Sequence, residues 1–362
     1  MKKNILIIDD SALMRRVLSD IINSDERFQV KDVSVNGLEA LSIIQYRGSE
    51  FDAILLDVNM PKMNGIELLA ELKKQNIKAT VIIVSTIAKK DARETIRALE
   101  LGAFDFVQKP ESFIEVKNNL FSDSIIECLV AATRIKNITI KEVGPEKKEK
   151  ERPAKELIPK KIQSVLPRNA NKLVALACST GGPKALHVVI PSLPADLDSS
   201  VLIVQHMPGG FTKSLADRLN DLSEITVREA EDGDILKKGT VYIAKGGYQM
   251  RLKMHKSGLY RLSVSEEPAR HGLLPCADIL FESLTDSDFD QITCVVLTGM
   301  GGDGSEGIKK LYAKKNTYVI AQDEETCVVY GMPKVLKETG LVDEVVSLND
   351  VSEAIIKNVG VR

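Results

Sequence analysis

Apolar residues occur along the first part of the chain in short runs separated by segments of helical periodicity. The runs predict strands at residues 4–8, 30–35, 53–57, 81–84 and 105–107. Between them, apolar positions recur at helical spacing, for example at residues 67–74 and 93–101. Near-continuous apolar runs flanked by helices are typical of parallel strands that are buried on both faces. This part of the chain is therefore predicted to form a doubly wound α/β domain.

The same alternation returns in the second half of the chain. It predicts strands at residues 173–177, 201–205, 226–229, 240–244, 292–297 and 318–321. Residues 249–264 contain a Lys-Ser-Gly turn and read instead as an antiparallel hairpin inserted in this domain. The predicted fold class is α/β, with two doubly wound parallel-sheet domains and a β-hairpin insertion in the second. Ligands are expected at the carboxyl ends of the strands.

A charged segment at residues 141–170 separates the two patterns. It holds nine Lys or Arg residues, five Glu and four prolines, and it has no aromatic residue. Such a segment cannot bury enough apolar surface to offset its ordering entropy, so a flexible linker is expected. A helix continuing from residue 135 would be broken by Gly144-Pro145 and Pro153. The predicted organisation is a first domain at 1–122, a helix end and flexible linker at 123–170, and a second domain at 171–362.

The composition is that of an ordinary globular protein. Of 362 residues, 44% are hydrophobic and 28% are charged, and the net charge of −2 gives no sign of a nucleic-acid or membrane-surface binder. The five cysteines form no CxxC pair, so neither a zinc cage nor a disulfide framework is expected, and Cys128 and Cys294 read as buried thiols. The chain shows no signal-peptide pattern and no apolar stretch near the roughly 20 residues that span a bilayer. We expect a cytoplasmic protein that is not membrane-embedded and does not bind nucleic acid.

Carboxylates follow strands of the first predicted sheet. Asp9 and Asp10 follow the first strand, Asp57 ends the third, and Lys109 follows the fifth. Strand termini converge in a doubly wound sheet, and three carboxylates at one place need a hard divalent cation such as Mg²⁺. The cation and the lysine would stabilise charge during phosphoryl transfer to a carboxylate, and Ser85 could bond the new phosphoryl group. A single strand-terminal aspartate would more often cap the next helix, but the order and spacing of the whole set are far more specific.

Residues 1–122 resemble the response-regulator receiver family. The resemblance is carried by Asp9-Asp10, Asp57-x-x-Met-Pro, Ser85 and Lys109-Pro110. It implies that Asp57 accepts the phosphoryl group. It also implies Mg²⁺ ligation by the side chains of Asp10 and Asp57, with Asp9 beside them, and by the backbone carbonyl of Asn59. The residues implied to contact the phosphoryl group or to act as the switch pair are Lys109, Ser85 and Phe106.

A nucleophile, a base and an acid follow three strands of the second domain. Ser179 lies in a Ser-Thr-Gly-Gly-Pro turn that opens a helix, where developing negative charge is stabilised. His206 follows the next strand, and Asp303 lies in a glycine-rich turn after a later one. Such a set can carry out acyl transfer, with Ser179 attacking, His206 exchanging the proton and Asp303 orienting the imidazole. Taken singly, a histidine after a strand is more often structural and an S-T-G-G turn is more often a loop or an anion site.

Two other functions compete with the hydrolase. Gly299-x-Gly301-x-x-Gly304 matches the dinucleotide fingerprint, and Asp323 lies where a ribose-binding acid belongs. Against a nicotinamide-nucleotide site, Asp303 would meet the pyrophosphate at close range, and Ser179 and His206 would have no role. A receiver-controlled, non-catalytic binding module is the other alternative.

Residues 170–360 are similar to the chemotaxis protein-glutamate methylesterases. The shared motifs include Ser179-Thr180-Gly181-Gly182, Gln205-His206-Met207, Thr298-Gly299-Met300-Gly301 with Asp303-Gly304, and Gly331-Met332-Pro333. The resemblance implies hydrolysis of glutamate γ-methyl esters and deamidation of glutamines on methyl-accepting chemotaxis receptors. It implies a triad of Ser179, His206 and Asp303 without a cofactor, and an oxyanion hole that includes the Met300 backbone N–H. A chemotaxis histidine kinase would be the phosphoryl donor, and any substrate contact from Arg270 or His271 is left open.

The two-domain layout suggests a form of control. We hypothesise that the unphosphorylated receiver packs over the Ser179 face and that phosphorylation at Asp57 loosens this packing.

Overall fold

The computed structural model describes residues 2–110, 120–133, 170–255 and 258–362. The predicted charged linker lies outside these residues except for Ala170, and so do two residues of the predicted hairpin turn. Within the described residues the chain forms two parallel α/β sheets and one antiparallel hairpin, so the predicted fold class is confirmed. All eleven strands predicted outside the hairpin occur, with bounds that shift by at most two residues.

The first domain is built on a five-stranded sheet in the order β2-β1-β3-β4-β5, in which all neighbours are parallel. The strands are β1 (Lys3–Ile8), β2 (Phe28–Ser34), β3 (Ala53–Asp57), β4 (Val81–Ser85) and β5 (Asp105–Gln108). The strand order reverses direction between β1 and β3, which places the ends of these two strands beside a crevice. Asp9, Asp10 and Asp57 come from those ends.

Helices cover both faces of this sheet, which is why β3 and β4 are buried throughout. They are α1 (Ala12–Ser24), α2 (Gly37–Arg47), α3 (Gly65–Lys74), α4 (Lys89–Leu101) and α5 (Leu120–Ala132), with a short 3₁₀ helix at Gly48–Glu50. Helix α3 starts at a capping box formed by Asn64 and Glu67. A Cβ on Gly65 would lie 2.4 Å from the Asp57 carbonyl oxygen, so only glycine lets α3 begin this close to β3. Helix α5 packs against β5 and α1, and the predicted domain end at residue 122 falls inside it.

The second domain is built on a seven-stranded parallel sheet in the order β14-β13-β12-β6-β7-β9-β8. Its strands are β6 (Lys172–Cys178), β7 (Ser200–Gln205), β8 (Thr226–Glu229), β9 (Thr240–Ile243), β12 (Gln291–Val296), β13 (Thr317–Gln322) and β14 (Glu344–Val346). Strand β6 lies between β7 and β12, so the turns after these three strands are neighbours. The prediction missed β14, because three residues at a sheet edge are too short to form a recognisable pattern.

Six helices and three smaller elements complete this domain among the described residues. The helices are α6 (Gly182–Val189), α7 (Phe211–Leu222), α8 (Ala277–Ser283), α9 (Ser305–Lys314), α10 (Met332–Lys337) and α11 (Val351–Val359). The hairpin strands β10 (Gln249–Met254) and β11 (Tyr260–Ser265) pair antiparallel, and 3₁₀ helices lie at Ile190–Ser192 and Leu348–Asp350. Across the part of the chain that the structure describes, no helix has both the length and the apolarity needed to cross a bilayer. Cys128 and Cys294 are buried free thiols, as predicted.

The two domains pack against each other through helix α4, which contacts α6 and α7. Arg218 of α7 forms an ion pair with Glu100 of α4, with Nε and Oε1 2.5 Å apart. His187 of α6 lies on the same carboxylate, with Nε2 3.1 Å from Glu100 Oε1, so this histidine belongs to the interface. The first domain therefore rests on the helices that follow β6 and β7.

Candidate functional site

The acidic cluster of the first domain consists of Asp9, Asp10 and Asp57. One carboxylate oxygen from each lies within 4.8 Å of the others. Asp9 and Asp57 are buried, whereas Asp10 is exposed. Lys109 Nζ lies 2.8 Å from Asp9 Oδ2 and 2.9 Å from Asp57 Oδ2. The structure thus brings together four predicted site residues from the ends of three strands.

The electrostatics of the acidic cluster favour a bound cation. Burial raises the pKa of Asp57 to about 6, with Lys109 opposing the rise and Asp9 adding to it. Burial works against the ammonium of Lys109, but the attraction of Asp57 and Asp9 prevails and raises its pKa. One lysine cannot neutralise three carboxylates, and an oxygen-only donor set suits Mg²⁺. The residues present therefore fit this metal.

Two further predicted receiver residues lie beside the acidic cluster. Asn59 donates a backbone hydrogen bond to the Asp57 carboxylate, which ties the loop after β3 to it. Ser85 ends β4 as a buried residue, with its hydroxyl 3.4 Å from the Thr86 carbonyl oxygen. Asp57 pairs with Val84 in the register of β3 and β4, so the next residue, Ser85, lies at the same end of the sheet as Asp57.

The catalytic candidates of the second domain meet at the carboxyl ends of β6, β7 and β12. His206 Nε2 lies 2.8 Å from Asp303 Oδ2. Ser179 lines the same cleft as His206, together with Met300. The Ser179 backbone N–H donates to the Thr298 carbonyl, at 3.0 Å, and the His206 N–H donates to the Cys178 carbonyl, at 3.1 Å. These bonds continue the sheet ladder by one residue past the strand ends, so the three turns lie side by side.

Asp303 is held by the start of helix α8, which sequence reasoning did not connect with it. Its Oδ2 accepts from the Ala277 N–H at 2.6 Å, and its Oδ1 accepts from the Asp278 N–H at 3.0 Å and from Cys276 Sγ at 3.1 Å. Burial disfavours the charged carboxylate, but the bond and the attraction to His206, together with these backbone donors, bring its pKa well below the usual range. Asp303 therefore stays ionised and is aimed at the imidazole. In the sequence, Ala277 lies 26 positions before Asp303, at the start of a helical pattern, and nothing local links the two residues.

The glycines of the turn after β12 are explained by close packing. A Cβ on Gly299 would lie 2.4 Å from Met332 Sδ and 2.8 Å from Ser179 Cβ. A Cβ on Gly302 would lie 2.7 Å from a methyl group of Val335.

Asp323, the candidate ribose ligand, accepts instead from the Thr326 N–H at 2.9 Å. The nicotinamide-nucleotide alternative is therefore not favoured.

A cleft of about 430 Å³ lies between the two domains, and Ser179 and His206 line it. The second domain contributes Ser179, Thr180, His206, Pro208 and Met300 to its lining. The receiver contributes β5, the residues that follow it, and α5. The Ser179 side of the catalytic domain therefore faces the receiver across this cleft.

Two receiver residues beside the cleft contact the catalytic domain directly. Asp105 accepts from the Phe106 N–H at 2.9 Å and also faces the Gly181 N–H and the Thr180 hydroxyl, and burial raises its pKa to about 7 against the influence of these donors. The predicted switch residue Phe106 packs its ring 4.6 Å from that of Phe211. The sequence analysis named Phe106 but missed Asp105, which looks like an ordinary strand-start residue.

Neither of the two residues left open lines the cleft. Arg270 forms an ion pair with Glu282 at 2.8 Å, which fixes it on helix α8. His271 is exposed and has a φ of 54°.

Comparison with known proteins identifies the family. A family model described as CheB methylesterase matches residues 174–355, and one described as response regulator receiver domain matches residues 5–121. The protein-glutamate methylesterase/protein-glutamine glutaminase 1 of Syntrophomonas wolfei is 40% identical over 360 residues, covering 98% of this chain and 99% of the relative. The chain belongs to the CheB methylesterase family.

Other members of the CheB methylesterase family agree with this assignment. The protein-glutamate methylesterase/protein-glutamine glutaminase of Bacillus subtilis is 40% identical over 356 residues, covering 97% of each chain. The crystal structure of the Thermotoga maritima CheB methylesterase catalytic domain is 40% identical, with a TM-score of 0.50. It covers 52% of this chain and 100% of that one. The resemblances drawn from the motifs of both domains are therefore confirmed at the level of family.

Proposed function

We propose that this protein is a phosphorylation-regulated protein-glutamate methylesterase and glutaminase that acts on methyl-accepting chemotaxis receptors. The observation that carries the proposal is that His206, which bonds Asp303, lines one cleft with Ser179 in a chain of this family. We assign the receiver to residues 1–122 together with the rest of α5, which packs on its sheet, and the catalytic domain to 171–362. We expect the protein to act in the cytoplasm, where it would meet the kinase and the receptor segments that carry its substrate groups.

The catalytic cycle follows from the orientation of His206. Because Nε2 faces the ionised Asp303, the N–H lies on Nε2 and Nδ1 keeps the lone pair that can accept a proton. Nδ1 takes the proton of Ser179 as Oγ attacks the γ-carbonyl carbon of the receptor side chain. The same proton then passes to the leaving group, which departs as methanol from the ester or as ammonia from the amide. Water, deprotonated by His206, attacks the acyl-enzyme and releases the glutamate side chain and free Ser179.

The oxyanion of the tetrahedral intermediate is proposed to bind at the Met300 backbone N–H. The Gly299 carbonyl accepts from the Met332 N–H at 2.8 Å and from the Gly331 N–H at 3.1 Å, which fixes the Gly299–Met300 peptide plane. In a trans peptide the N–H points opposite to the carbonyl, so the Met300 N–H is directed away from residues 331–332. Met300 lines the cleft, and Ser179 lies just before the start of α6, whose dipole also favours negative charge.

Control is proposed to begin at Asp57, with a chemotaxis histidine kinase as the phosphoryl donor. Asp9, Asp10, Asp57 and the Asn59 backbone carbonyl would hold Mg²⁺, which neutralises charge on the incoming phosphoryl group. Lys109 already contacts Asp57 and would pair with the transferred group. Ser85 would donate a hydrogen bond to it. The catalytic domain needs no cofactor in this scheme.

The receiver is proposed to act as a cover over the catalytic cleft. Asp105 bonds the turn that follows Ser179, and Phe106 packs on Phe211. Phosphorylation adds about two negative charges beside Lys109 and draws Ser85 towards the phosphoryl group. Phe106 would turn inward into the space behind Ser85, which removes its ring from Phe211 and loosens the cover.

Methanol release from methylated receptor membranes tests the proposal. Wild type is expected to release methanol faster when an acyl phosphate or the kinase supplies phosphoryl groups. Asp57→Asn should keep only the unstimulated rate, and Ser179→Ala should show almost none. Equal rates for wild type and Ser179→Ala would refute the hydrolase. Stimulation that persists in Asp57→Asn would refute the control.

A further inference from the structure

A buried glutamine joins the two turns that carry the proposed nucleophile and base. Strands β6 and β7 are neighbours, and Cys178 pairs with Gln205 in their register. Ser179 and His206 are the next residue on each strand. Gln205 is only 1% exposed. Its Nε2 donates to the Ser179 carbonyl oxygen at 3.1 Å and to the His206 carbonyl oxygen at 3.1 Å.

The other end of the amide is also occupied. Gln205 Oε1 accepts from Cys178 Sγ at 3.0 Å, which fixes the assignment of the amide oxygen and nitrogen. A Cβ on Gly182 would lie 1.9 Å from Gln205 Oε1, so the turn after Ser179 must carry glycine at this position to accommodate the amide. Gln205 and the glycine of the nucleophile turn therefore depend on each other.

We infer that Gln205 is a positioning residue that sets the distance and angle between Ser179 and His206. The inference rests on the proposed function, since it concerns the geometry of that same pair. One amino group bonds the carbonyls of both residues, so neither turn can shift without stretching a bond to the other. Proton transfer between Oγ and the imidazole is sensitive to displacements of about 1 Å, which can cost on the order of 100-fold in rate.

The chemistry at this position requires a primary amide. The site offers two carbonyl acceptors and one thiol donor, and a glutamine provides two N–H donors and one oxygen acceptor to match. Methionine has nearly the same shape but offers no donor. Glutamic acid has one O–H when neutral and no donor when ionised, in which case it would face two carbonyl oxygens. Its neutral form is therefore favoured by burial and by these neighbours.

The test uses the full-length protein, phosphorylated with an acyl phosphate, and measures methanol release as kcat and KM. Gln205→Met is expected to lower kcat by about 10- to 100-fold with KM within about twofold, because substrate contacts are unchanged. The matched control is Gln291→Met. Gln291 is also a buried glutamine of the same sheet, but it begins β12 at the opposite end, and its kcat should stay within about twofold.

Gln205→Glu separates positioning from simple filling of space. As the pH rises through the raised pKa of the new carboxyl, its one donor is lost and it repels both carbonyls. The ratio of variant to wild-type kcat should therefore fall by at least about fivefold between pH 6 and pH 9. A residue that only filled space would give a ratio independent of pH.

The outcomes are distinct. Two results would overturn the inference: a kcat of Gln205→Met equal to that of wild type, or a kcat ratio of Gln205→Glu to wild type that does not change with pH. Either result leaves the proposed function intact as long as wild type is active and Ser179→Ala is inactive. If Gln205→Met does not fold, the pH ratio of Gln205→Glu decides. If wild type and Ser179→Ala release methanol equally, the proposed function itself fails.

Discussion

Removing the Asp105 carboxylate is expected to activate the unphosphorylated enzyme. In the packed arrangement this carboxyl faces the Thr180 hydroxyl and the Gly181 N–H of the catalytic domain. At pH 6, below its packed pKa of about 7, the Asp105 carboxyl is mainly uncharged, and hydrogen bonds between uncharged groups contribute about 0.5–1.5 kcal/mol each. A net loss of about 1–3 kcal/mol in Asp105→Ala would shift the equilibrium between covered and open forms by about 5- to 150-fold.

The assay is methanol release at pH 6 from methylated receptor membranes by the full-length protein without a phosphoryl donor. Asp105→Ala should exceed unphosphorylated wild type by that factor, up to the rate of phosphorylated wild type. The matched control is Asp52→Asn, which removes a receiver carboxylate whose ion pair with Lys3 lies within the receiver. An unphosphorylated rate in Asp105→Ala equal to that of wild type would refute the reasoning.

The same carboxylate predicts a pH dependence of the cover. Its pKa is about 7 when packed, against an ordinary 3.8, so the covered form binds the proton more tightly. Covering is therefore favoured at low pH and weakens as the pH rises from about 4 to 7. The ratio of unphosphorylated to phosphorylated activity should rise with pH in wild type and be flatter in Asp105→Asn. The other titratable groups of the cleft are the same in both proteins, and these are Lys109, Glu127, Cys128 and His206.

Three further predictions concern the two sites. Asp303→Asn should lower kcat by about 10³- to 10⁴-fold, because an amide would favour the wrong His206 tautomer. It should also lower the Tm, because the N–H groups at the start of α8 lose their buried anion. A near-normal kcat would exclude the triad. In Gly299→Ala the new Cβ would overlap Met332 and Ser179. The variant should therefore be destabilised by about 1–3 kcal/mol in denaturant unfolding and should release no methanol. A variant with normal stability would contradict this packing. Chelation of Mg²⁺ should abolish stimulation by an acyl phosphate while the unstimulated rate persists, and stimulation that survives chelation would contradict a metal at the acidic cluster.

Local patterns were sufficient for the strands and for the residues at their ends. Strands β3 and β8 have the predicted bounds, because a run of apolar residues between turns is itself the signal of a buried strand. Parallel strands bring their carboxyl ends to one edge, so Asp57 and Lys109, or Ser179 and His206, could be grouped before any contact was known. Strand β14 was missed because three residues at an edge carry no period.

The sequence by itself determined the two α/β domains, the family and the chemical groups available at each strand end, because these depend on local periodicity and on residue type. Only the tertiary structure decided what holds those groups in place. Three contacts join segments that are distant in the chain. The N–H groups at the start of α8 bond Asp303, the Gln205 amide bonds the Ser179 carbonyl, and Asp105 contacts the turn that follows Ser179. Such contacts follow from how helices and turns pack on the finished sheets, and no local pattern of apolar and polar residues encodes them.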